Sequence, residues 1–348
     1  MKKIILAGGH GFLGQSLQRK LQAQGYQVIV LTRTTQPAAL TSQLLWDGKT
    51  IGQWAAALEG AWAVVNLAGR NVNCRYTPAN RREINESRVD SVRALDAAIA
   101  QCSTPPRAFV QAGSLAIYGD AGERWCDETA PHGSGFPVET CLLWEKAFSE
   151  GVTPRTRRVL LRIGFALRPS GGALGTMTDL VRIGLGGRIG SGRQYLSWIH
   201  GDDLDRMFLW AIEREDVCGV FNACSPNPVS NAEFMAELRG VLHRPWSPPA
   251  PVWAVHIGSW LMRTEPCLAL TGRRCRPKRF QEMQFPFEFP RLRPALQHLF
   301  ESGGTRAFQA KLSWSGLLRL LFSLMRNRSQ SPLRHGHRLS HSFHIDEV

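Results

Sequence analysis

The chain has 348 residues, enough for about two domains, and its 43% hydrophobic and 20% charged composition excludes a disordered chain and a coiled coil. No apolar run reaches the ~18 residues of a spanning helix, which excludes an integral membrane protein. The formal charge of +14 is unevenly spread: residues 271–348 hold 14 Lys/Arg against 5 Asp/Glu. A nearly balanced body with a basic end lacks the basic working face of a nucleic-acid-binding domain.

Met1-Lys2-Lys3 ahead of Ile4-Ile5-Leu6 imitates a secretory leader, but the apolar stretch is short and His10 interrupts the small residues behind it. It reads as a first strand. Apolar, β-rich runs then recur at 3–7, 27–32, 63–67, 107–112 and 158–163. Their lack of alternation suits a sheet covered on both faces. Helical patterns at 12–24, 79–101 and 138–150 separate them, so the spacing predicts a doubly wound parallel α/β sheet. After residue 165 the rhythm loosens into Gly-rich stretches. A further strand is expected at 220–223, a loop at 245–251 and a helix at 231–242. The division expected is 1–165 for a nucleotide domain and 166–300 for a smaller α/β substrate domain, with a basic tail at 301–348. In the tail, 312–325 can align Trp314, Leu317, Leu318, Leu321 and Met325 on one helical face. That face suits docking on its own domain in preference to the alternatives, an anionic membrane surface or a partner protein. Beyond Asn327 the composition predicts disorder.

Eight cysteines without a C-x-x-C pair look like the scattered thiols of a reduced, cytoplasmic protein. No Cys/His spacing matches a metal site, the histidines of the tail included, so no metal is expected.

The strongest chemical signal is Leu6-Ala7-Gly8-Gly9-His10-Gly11-Phe12-Leu13-Gly14, set between a strand and a helix. Gly8 permits a tight turn, Gly11 lets the backbone approach a pyrophosphate, and Gly14 brings the helix close to the sheet. The open amides of the His10–Leu13 stretch and the helix dipole then face the phosphates. The second strand ends in Thr32-Arg33, with no carboxylate before Asp47. An acid there would hold the ribose hydroxyls of NAD(H). A guanidinium at Arg33 favours the 2′-phosphate of NADP(H) instead.

Further motifs come in order: Asn66-Leu67-Ala68-Gly69, Ile84-Asn85-Glu86-Ser87-Arg88-Val89, Tyr118-Gly119, and the block from Gly190 to Leu204 containing Tyr195-Leu196-Ser197-Trp198-Ile199-His200-Gly201-Asp202-Asp203. With Arg276-Pro277-Lys278-Arg279 and Phe285-Pro286-Phe287-Glu288-Phe289-Pro290, they resemble the bacterial "epimerase family". This is an atypical, YfcH-like branch of the extended short-chain dehydrogenase/reductases. The resemblance covers about residues 1–300, with the branch's C-terminal domain of unknown function at about 248–297. It implies a Rossmann-like domain holding NAD(P), with Leu67, Ala68 and Gly69 flanking adenosine and ribose, and Ile163 and Gly164 near the nicotinamide.

The broader superfamily uses a Tyr with a Lys four residues later on one helix face. Here the helix reads Glu139-Thr140-Cys141-Leu142-Leu143-Trp144-Glu145-Lys146. Cys141 takes the Tyr position and Glu145 the Lys position. Lys146 falls one residue too far, about 100° around the helix. A carboxylate neighbour raises a thiol's pKa, so Cys141 is expected protonated, a poor base and nucleophile. A buried structural cysteine is the competing reading. Ser114 matches the substrate-orienting Ser of extended members, and Tyr118 is a second candidate proton donor. Asp202 or Asp203 is expected to cap a helix at 204–212. Arg193 and Gln194 are expected to contact an anionic or polar substrate. Taken together, the residues point to an NADP(H)-binding oxidoreductase or epimerase-like protein with a small-molecule substrate. A catalytically silent NADP(H)-binding regulator is the alternative.

Overall fold

A computed structural model describes residues 1–36, 41–168 and 171–302; the tail segment 312–325 lies outside them. In chain order the strands are β1 (Lys3–Ala7), β2 (Gln27–Thr32), β3 (Ser42–Leu45), β4 (Ala63–Asn66), β5 (Ala108–Ser114), β6 (Trp125–Cys126), β7 (Arg157–Ile163), β8 (Phe165–Leu167), β9 (Tyr195–Leu196), β10 (Trp198–His200), β11 (Gly219–Ala223), β12 (Val229–Ser230) and β13 (Arg274–Cys275). The helices are α1 (Gly14–Ala23), α2 (Pro78–Ala100), α3 (Phe136–Ser149), α4 (Gly172–Arg182), α5 (Gly201–Glu213), α6 (Asn231–Val241), α7 (Val252–Leu261), α8 (Cys267–Leu270), α9 (Lys278–Glu282) and α10 (Leu292–Ser302).

Seven strands form one parallel sheet in the order β11-β7-β5-β4-β1-β2-β3. The order reverses at β1, between β2 and β4. Register sets Ala7 beside both Leu31 and Asn66, so the carboxyl ends of these three strands finish level. A doubly wound sheet opens its ligand crevice at that point. The predicted strands form with small shifts at their ends. β3 went unread because Ser42-Gln43-Leu44-Leu45 is a short, half-buried edge without an apolar run.

Strand pairing runs across the expected boundary at 165. β11 returns from beyond it to pair with β7, and β13 pairs with β6, so backbone hydrogen bonds cross the division. What the later segment adds is a second core, with Leu174, Trp198, Phe234, Leu238 and Leu296 buried together. Asp205 locks the two regions: it is buried on α5, accepts from Ser16 on α1 at 2.6 Å and pairs with Arg168 at 2.7 Å.

The cap of α5 also differs from expectation. The helix starts at Gly201, and the Nδ1 of His200 accepts the Asp202 N–H at 3.1 Å. Asp203 does other work. Fully buried, its carboxylate accepts the N–H groups of Glu288 and Phe289, each at 2.9 Å, and fixes the C-terminal segment on α5.

Candidate nucleotide and substrate site

The Gly8–Gly14 turn sits at the reversal of strand order. Gly8 adopts φ +76°, and a Cβ there would lie 2.9 Å from Ala68 N. At Gly14 a Cβ would lie 2.5 Å from Gly9 O, so only glycine lets α1 approach the turn this closely. Gly11 donates its N–H to Gly8 O at 3.1 Å and Gln15 donates to Gly11 O at 3.1 Å. Among the described residues, the N–H groups of Phe12 and Leu13 have no protein acceptor, and no side chain caps α1. These free amides form an anion cradle at a helix N-terminus. The Phe12 ring lies against Gly172, while the carbonyl of His10 accepts from Gln15 Nε2 at 3.0 Å.

The crevice's other walls come from the register. Thr32 ends β2, and its hydroxyl donates to the Thr34 carbonyl at 2.9 Å. Arg33 projects into solvent just beyond. Asp47, the next carboxylate, is fully engaged in its own turn with Lys49 and Thr50, and the Thr50 hydrogen bonds lead in lowering its pKa. At the end of β4, Leu67 donates its N–H to Ala7 O at 2.9 Å and Ala68 donates to Asn66 Oδ1 at 3.0 Å. Asn66 is a buried node, with its amide also donating to Ser91 and Gln111. Gly69 lies against the Arg88 guanidinium. Ile163 and Gly164 close β7. A Cβ on Gly164 would lie 2.3 Å from Ser197 O, so this glycine lets β8 and β10 meet the main sheet.

Deeper in, Ser114 caps the short turn Leu115–Tyr118, its Oγ accepting the Ala116 N–H at 3.2 Å. Among the described residues, its own O–H has no acceptor. The Cys141 thiol points at the Ser114 carbonyl, 3.9 Å away. Burial, and secondarily Glu145, push the Cys141 thiol up to about 12, so it carries its proton at neutral pH.

The chain's similarity to known proteins matches this geometry. Residues 4–139 match the NAD dependent epimerase/dehydratase family, and residues 250–299 match a domain of unknown function, DUF1731. Human epimerase family protein SDR39U1 is 33% identical over 301 residues, covering 85% of this chain and 99% of the relative. The chain belongs to the SDR39U1 epimerase family. A chloroplastic SDR39U1 homologue from Arabidopsis thaliana is 31% identical, covering 86% of each chain. The crystal structure of human SDR39U1 (isoform 2) with NADPH superposes with a TM-score of 0.77 at 32% identity, covering 86% of this chain and 99% of that one.

In this SDR39U1-family chain, Cys141 and Glu145 do not replace a Tyr–Lys pair in kind. Glu145 makes a bidentate ion pair with Arg162 on β7, both contacts at 2.8 Å. Arg162 also donates to the Tyr118 hydroxyl at 2.8 Å, and that hydroxyl donates to Asn222 Oδ1 at 2.8 Å. Tyr118 is fully buried, and burial raises its pKa above the ordinary phenol value despite the nearby cation. The chain Glu145–Arg162–Tyr118–Asn222 is therefore closed, with the phenol proton already committed. Neither Arg162 nor Asn222 was among the site residues expected from the sequence, although Phe221-Asn222-Ala223 is one of the motifs shared with the family. The available signal was an arginine inside the apolar strand Val159-Leu160-Leu161-Arg162-Ile163. Lys146 points away as expected and pairs with Glu150 at 3.7 Å on the surface.

The two residues expected at the substrate are engaged with other parts of the protein. Arg193 is largely exposed and pairs with Glu123 at 2.5 Å. Gln194 donates its amide to the carbonyls of Ile189 and Ala269, at 3.1 and 3.3 Å. Among the described residues, His200, Asp202 and His298 bring ligand-type atoms within 4.8 Å of one another, a grouping the sequence does not reveal. Both nitrogens of His200 are in use, Nδ1 as the helix cap and Nε2 toward His298 Nδ1 at 3.2 Å.

Proposed function

We propose that this protein holds NADP(H) across the reversal of strand order and acts as an oxidoreductase or epimerase-like enzyme on a small carbonyl or alcohol compound. The observation that carries the reading is the cradle itself: Phe12 and Leu13 N–H groups without acceptors, at a turn where a Cβ on Gly8 or Gly14 would collide. The residues present fit a dinucleotide. The turn would take the pyrophosphate, residues 67–69 would flank a ribose, and Ile163 and Gly164 would lie near the nicotinamide. Arg33 favours the doubly charged 2′-phosphate, and the structure of the human relative with NADPH supports the same choice. When bound, the cofactor supplies or accepts the hydride. The chain's own part is the proton. Among the described residues the Ser114 O–H has no acceptor, and the protonated Cys141 thiol is directed at the Ser114 carbonyl.

Calorimetry with NADPH and NADH tests the reading. Wild-type protein should bind NADPH more tightly, and Arg33→Asp should weaken NADPH while sparing or improving NADH. An equal loss for both, with the fold intact, would remove Arg33 from the cofactor site. The second reading, a cofactor-binding regulator without turnover, is favoured by the closed Glu145–Arg162–Tyr118 chain, which leaves no activated phenol. Tight NADPH binding with no absorbance change at the nicotinamide band, across carbonyl compounds and sugar nucleotides, would favour it.

A further inference from the structure

Four cysteines share one buried cluster: Cys126, Cys141, Cys224 and Cys275 pack with Leu115, Ile117 and Tyr118. Two of them come from distant parts of the chain and stand directly opposite each other. β6 and β13 form a two-residue parallel ladder that pairs Trp125 with Arg274 and Cys126 with Cys275. Side chains on both faces agree with that register. On the outer face the Arg274 guanidinium carbon lies 4.1 Å from the centre of the exposed Trp125 ring. On the inner face both cysteines are fully buried. The two backbones are also pinned together. Arg276 donates its N–H to Cys126 O at 2.9 Å, and the Asn222 side-chain amide donates to Arg276 O at 3.1 Å and to Cys126 O at 3.5 Å. Cys275 is held further by its own N–H, which donates to Ser197 Oγ at 2.8 Å.

Neighbouring strands run about 4.7–4.9 Å apart, and residues opposite each other in a parallel pair project to the same face. A disulfide spans Cα separations of about 4.4–6.8 Å, so these two sulfurs can bond with little movement of the backbone. We propose that Cys126 and Cys275 are a reversible redox pair, closing into a disulfide that ties segment 250–299 covalently to segment 4–139. Each cysteine lies in one of the two matched segments, so the bond joins regions otherwise held by non-covalent contacts. The oxidant is a peroxide. The Cys126 thiolate attacks one oxygen of hydrogen peroxide, the O–O bond breaks, and the hydroxide released takes up the thiol's proton as water. The sulfur of Cys275 then attacks the resulting sulfenic sulfur, whose hydroxyl leaves with the Cys275 proton as a second water. A small dithiol reopens the bond and is itself oxidised to a disulfide. The neighbouring Cys275 thiol leads in holding Cys126 below its usual pKa, whereas burial pushes Cys275 up, so Cys126 is the sulfur that attacks first. A ladder of two residues opens locally more readily than the central sheet, which gives a small oxidant its access.

Full-length protein would be treated at neutral pH with hydrogen peroxide, raised until the exposed Cys218 is consumed. Remaining thiols would then be alkylated in denaturant and the unreduced peptides mapped by mass spectrometry. A peptide pair linked through Cys126 and Cys275 should dominate, at least tenfold above any other pairing, and dithiothreitol should remove it. Cys218→Ser should leave the link unchanged, and Cys126→Ser or Cys275→Ser should abolish it. The mapping of wild-type protein decides the matter without the variants. The proposal is overturned if both cysteines are recovered as alkylated thiols once Cys218 is consumed, or if either pairs preferentially with Cys141 or Cys224. A link that forms only when the protein is oxidised in denaturant would overturn it too, because the register that aligns the sulfurs exists only in the fold.

Discussion

Removing the carboxylate of Glu145 should leave an unanswered charge in the molecule's interior. Arg162 lies on a central strand with its side chain 6% exposed, and Glu145 accepts from it at two points, each 2.8 Å. Truncation to alanine leaves a buried cation whose remaining bonds go to the Tyr118 hydroxyl and, weakly, to the Glu128 carbonyl. Breaking a buried pair from one side costs about 3–5 kcal/mol, a large share of the roughly 5–15 kcal/mol by which folded domains are stable. At roughly 2–4 °C per kcal/mol for domains of about 150–250 residues, the midpoint should fall by about 6–20 °C. Differential scanning calorimetry of Glu145→Ala reads this directly. The double variant Glu145→Leu with Arg162→Met should recover much of the loss, because apolar replacements of similar volume remove both desolvation costs together. A midpoint within about 2 °C of wild type in the single variant, or a double variant less stable than the single, would refute the reasoning.

Tyr118→Phe removes a hydroxyl that already donates to Asn222, so it should cost about 1–3 kcal/mol of stability while leaving any reductase turnover within a fewfold. A loss of about 100-fold or more would restore Tyr118 as a proton donor. Gly14→Ala places a Cβ 2.5 Å from Gly9 O, and NADPH affinity should fall at least tenfold; unchanged calorimetric binding would contradict the cradle. His200, buried and facing Asp202, His298 and Arg168, is held down to about 4, chiefly by desolvation. Its folded value lies below the unfolded ~6.5, so the unfolded chain takes the proton first and this contribution to stability is lost as pH falls from about 6.5 to 4. Denaturant titrations of His200→Gln should show a flatter decline than wild type across that window, and parallel curves would argue against it.

Local rules were enough for the sheet and its cradle. Gly8, Gly11 and Gly14 act through backbone geometry fixed within seven residues, and apolar runs without alternation identify strands covered on both faces. The absence of an acid after Thr32 was equally visible, as was the misplacement of Lys146, because helical periodicity places neighbours four residues apart. α7 escaped notice for the same reason in reverse. It turns Trp253, Ile257 and Trp260 outward and buries only Ser259, so no ordinary amphipathic pattern announces it.

Contacts between distant segments could be settled only by the folded chain. Glu145 reads as an unhelpful neighbour of Cys141 until β7 brings Arg162 across to meet it, and Tyr118 reads as a catalyst until Asn222 from β11 accepts its hydrogen bond. Asp203 looks like a helix cap in the sequence, yet the returning segment at Glu288 and Phe289 claims its carboxylate. A charge acquires its partner from tertiary packing, whereas a turn acquires its shape from the residues within it.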